Sequence, residues 1–219
     1  MLPQNPTKID DLTRPNHRYL EPEDRCYFLG EYTSGAGFST PTNDLIINFK
    51  IPPSELKKKP ARSRWKDGAI REIAQALGRH LSNLQPGRVV VPIPTSKLTN
   101  HPDYDDRLLR ALSLCKATPA LAVRELIKQH GSTAADHESD ERQTFKELLA
   151  NCYLDETTAV PAPTGVVLFD DVLTEGKHFK VCQKLIRARY GDGIPIAGFF
   201  VARRIYRAAD FDFDEFFSE

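Results

Sequence analysis

Apolar positions along the chain fall into two kinds of run. Three are short and continuous: Val89-Val90-Val91 with Ile93 inside Arg88–Ile93, then Val166-Val167-Leu168-Phe169, then Ile194 to Val201. Runs of that length without alternation suit strands of a parallel sheet covered on both faces. Others repeat at helical spacing. Ile70, Ile73, Ala74, Leu77 and Leu81 predict an amphipathic helix over Lys66–Leu84. Phe179, Cys182 and Ile186 lie on the apolar face of a helix from Gly176 to about Tyr190, opposite Lys177, Lys180, Lys184 and Arg187, which read mostly as a solvated face. Shorter helices are expected at Asp105–Leu114 and Thr144–Ala150, and a short strand at Cys152–Asp155; Ala120–Ile127 fits either. Near the N-terminus, Cys26–Leu29 and Asp44–Lys50 are aromatic or β-branched and flank a turn-rich stretch at residues 33–37. They predict two strands joined by a loop. Strand and helix alternate from residue 88 onward. The fold class is therefore α/β, a twisted parallel sheet with helices on both faces and an N-terminal β-containing extension.

Composition narrows this picture. The chain has 219 residues, enough for one domain with an extension and a core that needs no disulfide or metal staple. Thirty basic and thirty acidic residues give zero net charge, which argues against a nucleic-acid coat protein. Cys26, Cys115, Cys152 and Cys182 contain no CxxC pair, so a zinc ribbon is not expected. The first eleven residues carry no apolar signal-peptide core, and no apolar run approaches a bilayer span. A cytoplasmic protein is the simplest expectation. Residues 1–44 read as an arm and β-hairpin extension, 45–209 as the main domain, and 210–219 as an acidic-aromatic tail. Residues 57–66 read as a basic surface linker, and 128–143 as a long polar loop.

The chemistry concentrates after the second apolar run, where Asp170 and Asp171 follow Phe169 and a short loop, Thr174-Glu175-Gly176-Lys177-His178, opens a helix. In open α/β sheets the ligand crevice lies beyond the carboxyl ends of strands, and a helix N-terminus favours an anion. Two carboxylates beside such a cradle suit a ribose phosphate: the acids accept from vicinal hydroxyls or hold Mg²⁺, and the cradle takes the phosphate.

This stretch resembles the phosphoribosyl pyrophosphate (PRPP) motif of type I phosphoribosyltransferases. Val89 to Lys97, with its Val-Pro-Ile-Pro run, is similar to the strand and pyrophosphate loop of the ComF-like branch. Asn48-Phe49-Lys50 and Asp140-Glu141-Arg142 fall where that branch carries related segments, and the likeness spans roughly residues 45–205. The branch's N-terminal zinc-binding cysteines are absent. Its Arg-Gly-Phe-Asn-Gln stretch is replaced near His101–Arg107, Glu175 stands at a hydroxyl position, and His178 replaces the last Thr or Ser.

The resemblance implies a type I phosphoribosyltransferase-like fold and roles by position. Asp170 and Asp171 would bind the ribose hydroxyls and Mg²⁺, directly or through water. Thr174, Glu175, Gly176, Lys177 and His178 would hold the 5′-phosphate, and Lys177, or His178 if protonated, could offset Glu175. Pro94, Thr95, Ser96 and Lys97 would hold pyrophosphate, and the 128–143 loop would close over the centre. The implied activity is phosphoribosyl transfer from PRPP to an acceptor that the sequence does not name. The alternative is a weakly catalytic PRPP- or nucleotide-binding partner in DNA uptake, DNA processing or defence. Tail residues 210–219 offer phenylalanines for docking on a protein partner or dimer mate.

Overall fold

The computed structural model describes residues 2–132 and 144–206. A five-stranded sheet is built from β1 (Thr7–Lys8), β2 (Arg25–Thr33), β3 (Arg88–Pro92), β6 (Gly165–Leu173) and β7 (Ile196–Ile205), in the order β1-β2-β7-β6-β3. Every pairing is parallel except that of β1 with β2. A separate antiparallel pair joins β4 (Ile127–Gln129) to β5 (Cys152–Leu154). The three continuous apolar runs are thus two interior strands, β6 and β7, and the β3 edge of a mostly parallel sheet, as expected.

Helices cover both faces. α1 (Pro41–Phe49), α3 (Ser63–Leu81) and α4 (Arg107–Leu114) share one core with Val90, Val167 and Phe169. α5 (Phe145–Asn151) and α6 (Lys177–Tyr190) lie over the other, with Val89, Val91, Val166 and Leu168. A short α2 (Pro53–Lys58) links α1 to α3. The chain crosses from β2 to β3 over the first face and returns from β6 to β7 over the second. Opposite directions of travel on opposite faces keep crossovers of one hand.

The expected strand at Asp44–Lys50 is a correction: these residues belong to α1 and its C-cap. β-branched Ile46 and Ile47 favour a strand locally, but Thr40 caps the helix by accepting from the Asn43 amide (3.1 Å), and Pro41 presets its first turn. Leu45, Ile46 and Phe49 then lie on one buried face. The first of the two expected N-terminal strands is present as β2, which joins the main sheet beside β7. The arm before it wraps the body: Leu2, Ile9 and Leu20 are buried. Asp24 accepts from Lys180 (3.0 Å) and Gln183 (2.8 Å) of α6.

Candidate ligand crevice

The register of the two neighbouring strands explains how the site is built. β3 pairs with β6 from Arg88 opposite Gly165 to Pro92 opposite Phe169, and the Ile93 amide adds a last bond to the Phe169 carbonyl (2.9 Å). β6 then runs on through Asp170, Asp171, Val172 and Leu173, past the point where β3 has left the sheet. Loop 93–99 leads from β3 toward α4 on one face, and the 174–176 loop leads from β6 into α6 on the other. Adjacent parallel strands whose outgoing loops part in this way open a crevice at their carboxyl ends. The structure therefore brings Pro94–Lys97, Asp170, Asp171 and Thr174–His178 to one end of two neighbouring strands.

The two acids occupy different environments, because successive residues of a strand face opposite sides. Asp171 is almost fully buried on the side of α1, α3 and α4. Its Oδ2 accepts from Arg107 Nε (2.8 Å) and Nη2 (2.6 Å), and Lys50 Nζ lies 3.6 Å from Oδ1. Burial alone would raise its pKa, but Lys50 and Arg107 hold it well below the ordinary carboxylate value. The network continues inward. Arg107 also reaches Asp105 (3.1 Å), and buried Lys66 spends its ammonium on Asp105 (2.7 Å) and on the Phe49 and Ile51 carbonyls (2.9 and 2.8 Å). Lys66 was expected in a surface linker; it is instead a buried staple between α1 and the start of α4.

Asp170 is partly exposed, and its Oδ1 accepts from the Asp171 amide (2.8 Å). Burial and the charge of Asp171 push its pKa up to about 7, against the pull of that amide, Arg107 and Lys50. Of the pair, Asp170 is the more exposed residue.

The phosphate loop is clamped by the N-terminal arm. His17 is fully buried with Nδ1 on the Thr174 carbonyl, and the Tyr19 amide donates to the Glu175 carbonyl (3.0 Å). Arg18 pairs with the Glu175 carboxylate (2.8 Å). The repulsion that Glu175 would exert on a phosphate is thus offset by Arg18 of the arm. Lys177 is buried in the first turn of α6, where its charge also reaches Glu147 of α5. Gly176 turns the chain in the left-handed region (φ 84°), and a Cβ there would lie 2.8 Å from Leu20. The arm and this loop are therefore fitted to each other.

On the other side of the crevice, the Leu98 amide donates to Ser132 Oγ (3.0 Å), tying the 94–97 loop to the segment after β4. Most of the 128–143 loop, including Asp140-Glu141-Arg142, and all of the 210–219 tail lie outside the described residues.

Mg²⁺ fits the donor set only in a restricted way. No group of three or more His, Cys, Asp or Glu side chains is placed to hold a metal among the described residues. Asp171 is committed to Arg107 and Lys50, which leaves Asp170. Mg²⁺ commonly takes one or two carboxylates, with waters and substrate phosphates filling its remaining positions, and one carboxylate on the crevice wall matches that mode.

No protein-family model matches the chain, and no curated protein sequence matches it. Among solved structures, a hypoxanthine phosphoribosyltransferase from Staphylococcus aureus is similar at 13% identity, over 63% of this chain and 73% of that one, with a TM-score of 0.36. So loose a superposition transfers no residue roles, and the functional reading rests on the chain's own geometry. No helix among the described residues is long and apolar enough to cross a membrane.

Proposed function

We propose that the crevice between the β3 and β6 loops binds PRPP or a related phosphoribosyl ligand, and that the protein transfers the phosphoribosyl group to an acceptor. One observation carries this reading: Asp170 stands on β6 beyond the end of β3, between a loop that opens a helix through a left-handed glycine and the loop read as a pyrophosphate cradle. Asp170 would accept from the ribose hydroxyls and, ionised, hold Mg²⁺. When bound, that ion would neutralise the leaving pyrophosphate. The 174–178 loop would take the 5′-phosphate, and 94–97 the pyrophosphate. In the transfer, the bond from C1 of the ribose to an acceptor atom forms as the bond to pyrophosphate oxygen breaks, and pyrophosphate carries away the electron pair. Positioning and charge neutralisation supply most of the acceleration in such a reaction.

A second reading, a nucleotide-binding partner with little turnover in DNA uptake, DNA processing or defence, is favoured by one observation. Asp171, the other half of the acid pair, is tied to Arg107 and Lys50 instead of facing the crevice side of β6. Calorimetry with PRPP and Mg²⁺ tests both readings. Wild type is expected to give a saturable heat, and Asp170→Asn to weaken binding at least about tenfold, the scale of a hydrogen bond to a charged group. No heat with wild type overturns both readings; heat without pyrophosphate release across a panel of acceptors selects the second.

A further inference from the structure

A cavity of about 410 Å³ lies beside the crevice, between the start of α4 and the β4–β5 pair. That volume is in the range of small-molecule sites. Its polar wall is rich in acceptors. Asp106 and Glu125 border it, and neither is in an ion pair among the described residues. Gln129, also on the wall, is 8% exposed, and its Oε1 is buried without a hydrogen-bond partner among the described residues. An orphaned acceptor of this kind is costly, and an entering donor relieves the cost. The terminal torsion of a glutamine is broad, so its oxygen can meet a donor without moving the strand.

Two tyrosines supply flat surface. Tyr104 lies at the α4 end; Tyr153, on β5, stacks on His130 with ring centroids 4.5 Å apart. The Tyr104 hydroxyl is held in its neutral form first by burial, then by the charges of Glu125, Asp106 and Asp105. Lys97 and Lys128 also border the cavity, but Lys128 is drawn off by Asp155 (2.5 Å), and Asp105 is spent on Lys66 and Arg107. Free acceptors beside aromatic faces suit a cation that both donates hydrogen bonds and stacks.

We propose that this cavity is a binding site for a small planar organic cation carrying N–H donors. Its acceptors are Gln129 Oε1 and the Glu125 carboxylate, and its stacking surface is that of Tyr104 and Tyr153. Neither Asp170 nor the phosphate loop lines it, but Pro94, Thr95 and Lys97 of the loop given to pyrophosphate do, so the two sites share that wall; the cation reading itself does not depend on the phosphoribosyl one.

Benzamidine, a flat amidinium, is the probe, and benzoate, of the same shape and opposite charge, is its control. Calorimetric titration of the full chain is expected to show saturable binding of benzamidine and none of benzoate. Glu125→Gln, an exposed change without consequence for folding, and Gln129→Leu are each expected to weaken benzamidine about tenfold. Absence of benzamidine binding overturns the proposal. So does benzoate binding as well as benzamidine, which would mean that Lys97 sets the character of the cavity. Benzamidine affinity unchanged in both variants does the same. PRPP with Mg²⁺ titrated into Glu125→Gln reads the crevice separately, so either site can fail without the other.

Discussion

Asp170 and Asp171 are adjacent in sequence and opposite in duty. Asp171 neutralises Arg107 and Lys50 inside the molecule, so Asp171→Asn leaves buried positive charge uncompensated. It is expected to destabilise by about 3–5 kcal/mol, the usual cost of breaking a buried pair by removing one partner. Asp170→Asn is expected to leave stability near neutral pH unchanged or improved, since it replaces a carboxyl already reluctant to ionise. Urea denaturation of the two single variants separates them, whereas a double substitution would confuse loss of ligand with loss of fold. His17 gives a pH dependence. Burial, with the nearby Arg203 charge, lowers its pKa below the ordinary 6.5 despite the Thr174 carbonyl, which favours the protonated ring. The unfolded chain then takes up a proton as pH falls through about 6.5 while the folded chain does not, so stability falls on acidification. Between pH 7.5 and 5, wild type is expected to lose a few degrees more in Tm than His17→Gln, which retains a donor and does not titrate; equal slopes would refute the role. The acid pair itself was legible in the sequence because an apolar run ending in two carboxylates is a local pattern. The division of labour was not, because Lys50, Lys66 and Arg107 come from three separate elements, and a sequence shows a lysine in a basic run as solvated whether or not a carboxylate awaits it.

At the scale of elements, the clamp between the arm and the phosphate loop has two separable parts. Gly176 needs a left-handed conformation, which costs an L-residue roughly 1–2 kcal/mol, and its missing Cβ makes room for Leu20. Gly176→Ala is therefore expected to destabilise by at least about 1 kcal/mol, and Leu20→Ala to recover the steric share while leaving the backbone share. A double-mutant cycle followed by chemical denaturation measures the coupling; strict additivity would mean that the two do not touch in solution. The strands β3, β6 and β7 and the helices α3, α4, α5 and α6 were readable because their apolar spacing agrees with what they bury. Asp44–Lys50 resembles a strand because its side chains are branched, yet the Thr40-Pro41 start signal and the Leu45, Ile46, Phe49 spacing make it a helix. The arm's hold on the loop was unreadable for another reason. Part of it rests on backbone carbonyls of Thr174 and Glu175, which any sequence presents, and the Arg18–Glu175 and Leu20–Gly176 contacts join positions more than 150 residues apart.

For the whole molecule, the strand order carries a consequence for how the protein is made. β7 lies between β2 and β6, yet it is the last strand among the described residues. Until residues 196–205 have left the ribosome, β2 has no partner on its β7 side, although it was synthesised more than 160 residues earlier. β6 likewise waits with one edge open. Pairings this distant in sequence form late, and exposed strand edges invite wrong partners. A chain truncated after Pro195 is expected to lack cooperative unfolding and to be recovered in the insoluble fraction; a soluble, cooperatively melting fragment would contradict this. The same topology makes completion of the sheet a checkpoint on synthesis. Asp170 sits on β6 opposite Phe200 of β7, so the candidate crevice acquires its supporting strand only when residues 196–205 have been delivered. A partial translation product would carry every residue of the acid pair and its two loops and still have no site.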